Sequence, residues 1–550
     1  MMSLATAGKW TTRRLLSPAQ QRCFSKAPCR CSSNRAISEA NNTPHLSFRS
    51  FISALREQGD LVDVKEPVSA DLEAAAVTRR VYEKRAPAPL FHDVIGTDPK
   101  TGLFRILGAP VGLRKNKKDQ YGRLALQLGL PATSTAREIV EKMIAAKEGT
   151  PLPPVVVDRA DAPCKENILK GSEVDMTKWP IPRLHELDGG NYLATYGFHI
   201  VQTPDKSWVS WSISRAMHLA GEPRALTAPV LKGQHIHAVR QRWIDAGEEK
   251  TPWALVLGGP PAAAFVAGMP LPYEVNEDGY VGALSGSPLE VVKCETNDLY
   301  VPANSEIVLE GHISNSKTVP EGPMGEYHGY AFKDKPVMKP LFHVDCVTYR
   351  KNPVVPICVA GLPPDETHTV WGPSISAELL SALRKAGFPV NFVWLPLEAL
   401  CIWIFVSVDT KKLASMNISP EELCKRAGEL IFGTHAGWEI PKVFLVGDDV
   451  DITDINQVLW ALSTRYRPGA DEYIFDEATG LPLLPYMMRA TRKEVPDPGK
   501  GGKSVVNLLL PEEFNGERNW LPSNFEGSYP EDTKETVLSK WEKYGYSKDE

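Results

Sequence analysis

The chain has 550 residues, 43% hydrophobic and 23% charged, with a formal net charge of −5. That composition excludes the fibrous and disordered classes, and the length asks for two to four packed units. The acidic balance gives no bulk attraction to nucleic acid or anionic lipid, so neither is expected as a partner.

Residues 1–40 read as a mitochondrial transit peptide. Lys9, Arg13, Arg14, Arg22, Lys26, Arg30 and Arg35 precede the first acid, Glu39. Arg22-Cys23-Phe24-Ser25 is similar to a matrix-protease cleavage site. Loss of those seven cations takes the formal charge from −5 to −12. Cys164, Cys294, Cys346, Cys358, Cys401 and Cys424 form no CxxC pair. This fits a reducing compartment and argues against a zinc ribbon.

Residues 45–150 read as an N-terminal α/β segment. A helix is expected over Leu46 to Glu57 and a strand over Leu61 to Val64. Ser69 is placed as the cap of a helix running to about Lys84, and Thr135 with Glu138 as the capping box of another ending near Gly149. Pro151 to Pro163 reads as a linker. Within 164–370, short β-branched runs separated by Gly and Pro turns predict a barrel-like β core. Ser374 to Ala386 predicts a connecting helix over 374–387. The α/β pattern returns over 388–510, where Phe392 to Val408 reads as two buried strands rather than a membrane span. Ser419-Pro420-Glu421-Glu422 opens a helix there. The tail, 511–550, carries one more helix near Glu531 to Tyr544, suited to packing on a partner subunit.

Four stretches carry chemistry. Thr318 to Tyr330 brings Glu321, Glu326 and His328 into a run too rich in Gly and Pro for helix or central strand. Three titratable groups in one loop are how an acid and a base come to be poised together. Arg215 ends a Trp/Ile strand and needs an anion if it is buried. His235 in Gly233-Gln234-His235-Ile236-His237 and Glu277 in Asn276-Glu277-Asp278-Gly279 are the remaining candidates. Taken singly, each has a bland structural reading as an ion pair, a core histidine or a turn.

Together they are specific. Leu72-Glu73-Ala74-Ala75-Ala76, Trp211-Ser212-Ile213, Arg215-Ala216-Met217, Gly279-Tyr280-Val281-Gly282-Ala283, Pro320-Glu321-Gly322-Pro323 and Asp365-Glu366-Thr367-His368-Thr369 resemble the UbiD-type decarboxylases, most closely the fungal ferulic/phenylacrylic acid decarboxylases. The resemblance implies an α/β (α+β) fold. Its parts are a split β-barrel flavin-binding core, flanking α/β segments, and a helix leading to a C-terminal α/β oligomerisation domain. It implies a homodimer and a prenylated FMN made by a prenyl-flavin synthase. Mn2+ or another divalent metal, with K+ nearby, is implied to hold the cofactor's phosphate. The implied reaction is reversible, non-oxidative loss of CO2 from an unsaturated or aromatic acid. Glu326 is implied as proton donor, with Arg215 and Glu321 completing the catalytic trio. Ser210, Trp211, Ser212, Ile213, Ser214, Arg215, Gln234, His235, Met269, Glu277 and His435 are implied around the cofactor, and Ser210, His235 and Glu277 around the metal.

Two departures bear on the anchor. Ser210, a shorter and weaker oxygen ligand, stands where the family has Asn. His435 stands where it has a phosphate-contacting Lys. Trp371, Tyr327, Ala360 and Leu481 mark a remodelled pocket, so a substrate outside the cinnamic acids is expected. The alternative is a catalytically weak paralogue that binds flavin or a partner without turnover.

Overall fold

The computed structural model describes residues 40–331, 333, 335–438, 440–476, 478, 484, 502–517 and 519–547, with the backbone of Cys29 and Arg30. Leu481 and nearly all of the expected leader lie outside the described residues. Two compact units emerge. One comprises Met1–Thr135 and Ala145–Val370; the other comprises Ala136–Ile144 and Trp371–Glu550. Segments 45–150 and 164–370, read separately in the sequence, thus fall in the same unit, apart from 136–144.

The first unit is built on a nine-stranded sheet, a half-barrel. Its strands are β1 (Asn167–Lys170), β2 (Asn191–Ala194), β3 (Gly197–Gln202), β4 (Val209–Ile213), β5 (Ala216–His218), β6 (Ala225–Thr227), β7 (Lys250–Leu257), β8 (Ile307–Glu321) and β9 (Val337–Tyr349). Their order is β2-β5-β6-β9-β8-β7-β3-β4, with β1 on β9. Alternation along β7, β8 and β9 sends Trp253, Leu255, Leu309, Phe342 and Val344 into one core. Burying each such side chain is worth about 1.5–3 kcal/mol. The Trp253 indole N–H finds a partner inside, donating to His199 Nδ1 at 2.8 Å. A second, four-stranded sheet joins Leu61–Val64, Ala88–Phe91, Arg105–Gly108 and Val354–Ile357. Helices α1 (His235–Asp245) and α2 (Glu277–Ser285) both begin beside β4.

The second unit holds a five-stranded sheet. Its strands are β10 (Val390–Trp394), β11 (Trp403–Val408), β12 (Lys442–Gly447), β13 (Glu472–Phe475) and β14 (Lys503–Leu508), in the order β10-β11-β12-β14-β13. The expected pair of buried strands over Phe392 to Val408 is the antiparallel pair β10/β11. Among the described residues no helix is long and apolar enough to cross a membrane. The Ser419 hydroxyl caps the helix Pro420–Phe432 by accepting the Glu422 N–H, as read. The tail helix spans Glu531–Lys540.

Three readings need correction. Ser69 does not cap the helix, which runs Glu73–Lys84 from Leu72. The Ser69 hydroxyl instead accepts the Asp71 N–H in a local turn, and Glu73 takes the Ser69 N–H at 2.8 Å. The connecting helix, α3, spans Glu366–Lys385 and contains Pro373, so it begins well before the expected Ser374. Proline costs one backbone bond but need not end a helix. Thr318–Glu321 are not loop but the last residues of β8, paired with Val337–Pro340 of β9. Strand β7 reaches only to Ser314, so this end of β8 is an edge, where Pro320 is tolerated.

Candidate active site

Strand β8 delivers Glu321 as its final residue, buried at 3% exposure. Gly322 then turns the chain at φ +79°, a conformation favourable only to glycine. The loop closes on itself through Glu326 N–H to Tyr330 O and Gly329 N–H to Glu326 O, both 3.0 Å. Arg215, between β4 and β5, faces both carboxylates. Its Nε and Nη2 donate to Glu321 at 2.9 and 3.1 Å, and its Nη1 donates to Glu326 at 2.7 Å. Burial alone would weaken the guanidinium's hold on its proton. The Glu326 and Glu321 carboxylates outweigh that, and the pKa is raised.

The structure therefore brings Arg215, Glu321 and Glu326, the trio expected to be catalytic, together as one network. One guanidinium serves both carboxylates. Glu326 is the more open of the two, its side chain 17% exposed against 3% for Glu321. His328, the loop's third titratable group, is buried, and burial lowers its pKa despite Glu326 nearby.

The second cluster lies along the outer edge of β4. Glu277, the first residue of α2, accepts the Trp211 N–H at 3.0 Å and meets His235 Nδ1 at 3.0 Å. His235 is the first residue of α1, so two helix N-termini converge here. Unpaired backbone N–H groups and the positive ends of both helix dipoles favour an anion. Glu277 is 2% exposed, and burial raises its pKa, offset only in part by His235. A buried carboxylate with an imidazole for a partner is a donor set for a hard cation. The Ser210 hydroxyl is wholly buried and 3.2 Å from that of Ser212. Among the described residues no group of three or more His, Cys, Asp or Glu stands ready for a metal. The set Ser210, His235 and Glu277 supplies two such ligands and a hydroxyl.

The other expected cofactor residues scatter more. Trp211 stacks on Phe198, Ser214 offers its carbonyl to His199, and Met269 is buried. Gln234 precedes α1 and accepts the Leu231 N–H. His435 belongs to the second unit, in the loop after the helix Pro420–Phe432, and Trp371 opens that unit's longer segment. Ala360 and Tyr327 are buried in the first.

Sequence reasoning missed Tyr192. Its hydroxyl donates to Glu321 Oε1 at 3.2 Å. Burial and then the Glu321 charge raise its pKa, so it is a fixed donor. Its partner is 129 residues away, and no local pattern marks it.

Family profiles cover most of the chain. Residues 52–143, 155–363 and 368–508 match, in turn, the N-terminal, Rift-related and C-terminal domains described as 3-octaprenyl-4-hydroxybenzoate carboxy-lyase, UbiD. The chain belongs to the UbiD family of carboxy-lyases. Among its relatives, the pyrrole-2-carboxylic acid decarboxylase of Pseudomonas aeruginosa is 48% identical over 506 residues, 92% of this chain and 99% of that one. Ferulic acid decarboxylase 1 of Saccharomyces cerevisiae is 41% identical over 504 residues, again 92% and 99%. The evolved dimeric form of the UbiD-class enzyme HmfF from Pelotomaculum thermopropionicum, solved in complex with prFMN, superposes with a TM-score of 0.69. It is 27% identical, over 87% of this chain and 98% of that one. This UbiD carboxy-lyase thus has the mixed α/β architecture of its family.

Proposed function

We propose that this UbiD carboxy-lyase catalyses the reversible, non-oxidative decarboxylation of an α,β-unsaturated or aromatic carboxylic acid with prenylated FMN. The observation that carries the reading is Arg215 spanning Glu321 and Glu326 in a chain of a carboxy-lyase family. The residues present fit the cofactor. Two converging helix N-termini suit a phosphate, and the buried Glu277 with His235 suits the divalent metal that would bridge to it. Mn2+ is the ion we assign there, with K+ beside it. When bound, the cofactor supplies the centre that holds the electrons released as the carboxylate leaves.

The chain's own residues do the rest. Arg215 orients the substrate carboxylate with its guanidinium fork. Glu321, fixed by Arg215 and Tyr192, keeps that fork in place. Glu326 delivers a proton to the carbon that CO2 has left, and its partial exposure lets solvent restore that proton. Only CO2 and a proton are exchanged, so the same groups serve the reverse direction. We assign the protein to mitochondria through its basic leader, as a homodimer formed through the C-terminal unit, with cofactor from a prenyl-flavin synthase.

The test is protein co-expressed with such a synthase, checked for cofactor by absorption and mass, and assayed by headspace over cinnamate, pyrrole-2-carboxylate and polyunsaturated aliphatic acids. CO2 release from at least one acid is expected. Poor turnover of cinnamate, improved by Trp371→Ile, is expected from the bulk at Trp371. Loaded, folded protein that releases CO2 from none of them sinks the reading. Commitment of the Ser210 hydroxyl to Ser212 favours one rival, a paralogue with weak cofactor retention. Flavin lost on dialysis together with absent turnover would support it.

A further inference from the structure

The turn His185–Gly190 grips the loop that carries Glu326. Asp188, with a fully buried side chain, accepts the Gly325 N–H at 2.9 Å, one residue before Glu326. Gly189 donates its N–H to Pro323 O at 2.7 Å. A Cβ at Gly189 would lie 2.0 Å from Gly322 O, so only glycine fits against the loop. On its other side the turn reaches the segment Cys358–Leu362, which holds Ala360. His185 Nε2 lies 2.7 Å from Ala360 O, and Nδ1 lies 3.2 Å from each Asp188 oxygen. A carbonyl and a carboxylate can only accept. Both ring nitrogens must therefore carry hydrogen, and a neutral ring has one N–H too few.

We propose that His185 is a positioning residue for Glu326, a two-ended strut that ties the proton donor's loop, through Asp188, to the pocket-wall segment at Ala360. This rests on the decarboxylase reading above. Removing one ring proton breaks one end of the strut. The donor loop then loses its fixed distance from the wall, and misplaced proton transfer is slow. The charged groups that bear on His185 are Asp188 on its own turn and Arg79 from the helix Glu73–Lys84. Arg79 donates to Val359 O and Leu362 O and stands 4.0 Å from Asp365. Glu186 and Arg183 flank His185 in sequence. Burial and Arg79 pull the His185 pKa down; Asp188 and the Ala360 carbonyl push it up, and the net shift is upward.

Two measurements test the strut. The first is an NMR pH titration of histidine-ring 15N-labelled full-length protein, with the His185 signal identified by its loss in His185→Gln. The expected result is a doubly protonated ring at neutral pH, titrating above His199, His218 and His328, whose pKa values burial lowers. The second is the pH profile of kcat for cofactor-loaded enzyme. The alkaline fall should coincide with the His185 titration and move to lower pH in Asp188→Asn, which keeps an acceptor for Gly325 but removes the charge. His185→Gln should lower kcat roughly 10- to 100-fold with KM within about threefold. A singly protonated ring at neutral pH, or an alkaline limb unmoved in Asp188→Asn, overturns the proposal. If loaded enzyme decarboxylates nothing, the functional reading falls, and the NMR titration still decides the strut without it. If His185→Gln does not fold, Asp188→Asn identifies the signal by its shift and supplies the profile.

Discussion

The trio of Arg215, Glu321 and Glu326 and the cluster of Ser210, His235 and Glu277 sit at the two ends of the same strand–turn segment, yet they are held in opposite ways. The trio brings its own countercharge. Arg215 makes three hydrogen bonds to the two carboxylates, and Tyr192 adds a fourth. Charge-assisted bonds of this geometry survive burial because each donor has an acceptor. The cluster has none of this. Glu277 is buried with a backbone N–H and an imidazole, and its pKa is pushed up by desolvation. The first region is tied together by charge-assisted bonds within the chain; in the second, a buried carboxylate meets an imidazole and a backbone N–H. A change in one should therefore leave the other intact.

Glu326→Gln is the most severe way to test that separation. Glutamine keeps the size and can still meet Arg215, but it cannot transfer a proton. Turnover should fall roughly 10²–10⁴-fold, while bound flavin per chain stays at the wild-type level. Near-wild-type decarboxylation would remove Glu326 from the donor's role. Loss of flavin along with turnover would break the separation itself.

Tyr192→Phe probes the trio more gently. It deletes one hydrogen bond to a charged acceptor and little volume, so kcat should drop about tenfold with little change in KM. Equal kcat in the two proteins would show that Arg215 alone fixes Glu321.

The cluster should answer to pH and metal instead. Glu277 has a folded pKa raised above the ordinary 4.5. Between the unfolded and folded values the native state holds more protons than the unfolded chain. Stability therefore falls as pH rises through that window. A divalent cation held by Glu277 would replace the missing proton and cancel the loss. Saturating Mn2+ should raise Tm by roughly 5 °C at neutral pH and by less near the folded pKa, as thermal scans with and without chelator would record. An equal gain at both pH values would point to a different site.

This contrast also explains what was legible in the sequence. Arg215, Glu321 and Glu326 were readable because they sit in short motifs dense with Gly, Pro and Trp. The strand pair β10/β11 was readable from its apolar runs broken by Pro396. The supports were not. Tyr192 and Asp188 reach Glu321 and Gly325 across 129 and 137 residues, and nothing local ties them together. Gly189 is required by its contact with Gly322, which only the folded chain brings about. The helix α3 begins eight residues before the expected Ser374 and runs through Pro373, which a helix can hold when its neighbours support the turn. Thr318–Glu321 were missed as strand because edge pairing depends on where β7 ends.

The smallest expected effect lies at Ser210. Its hydroxyl is wholly buried, and the oxygen 3.2 Å away belongs to Ser212. A hydroxyl engaged in this way is a poor ligand, short in reach and shared with a neighbour. Ser210→Asn adds an amide oxygen of longer reach, one residue from Trp211, whose N–H Glu277 accepts. It also adds volume at a site with no exposure, so part of the gain will be offset by local repacking. The net expectation is a few-fold slower loss of flavin during dialysis against chelator, with kcat of the loaded enzyme unchanged. The second half matters as much as the first. If kcat moves with retention, the anchor and the trio are coupled through β4 and the separation argued here fails. If retention falls, the cluster has been rebuilt around serine, with the Ser210–Ser212 pair as part of the rebuilding.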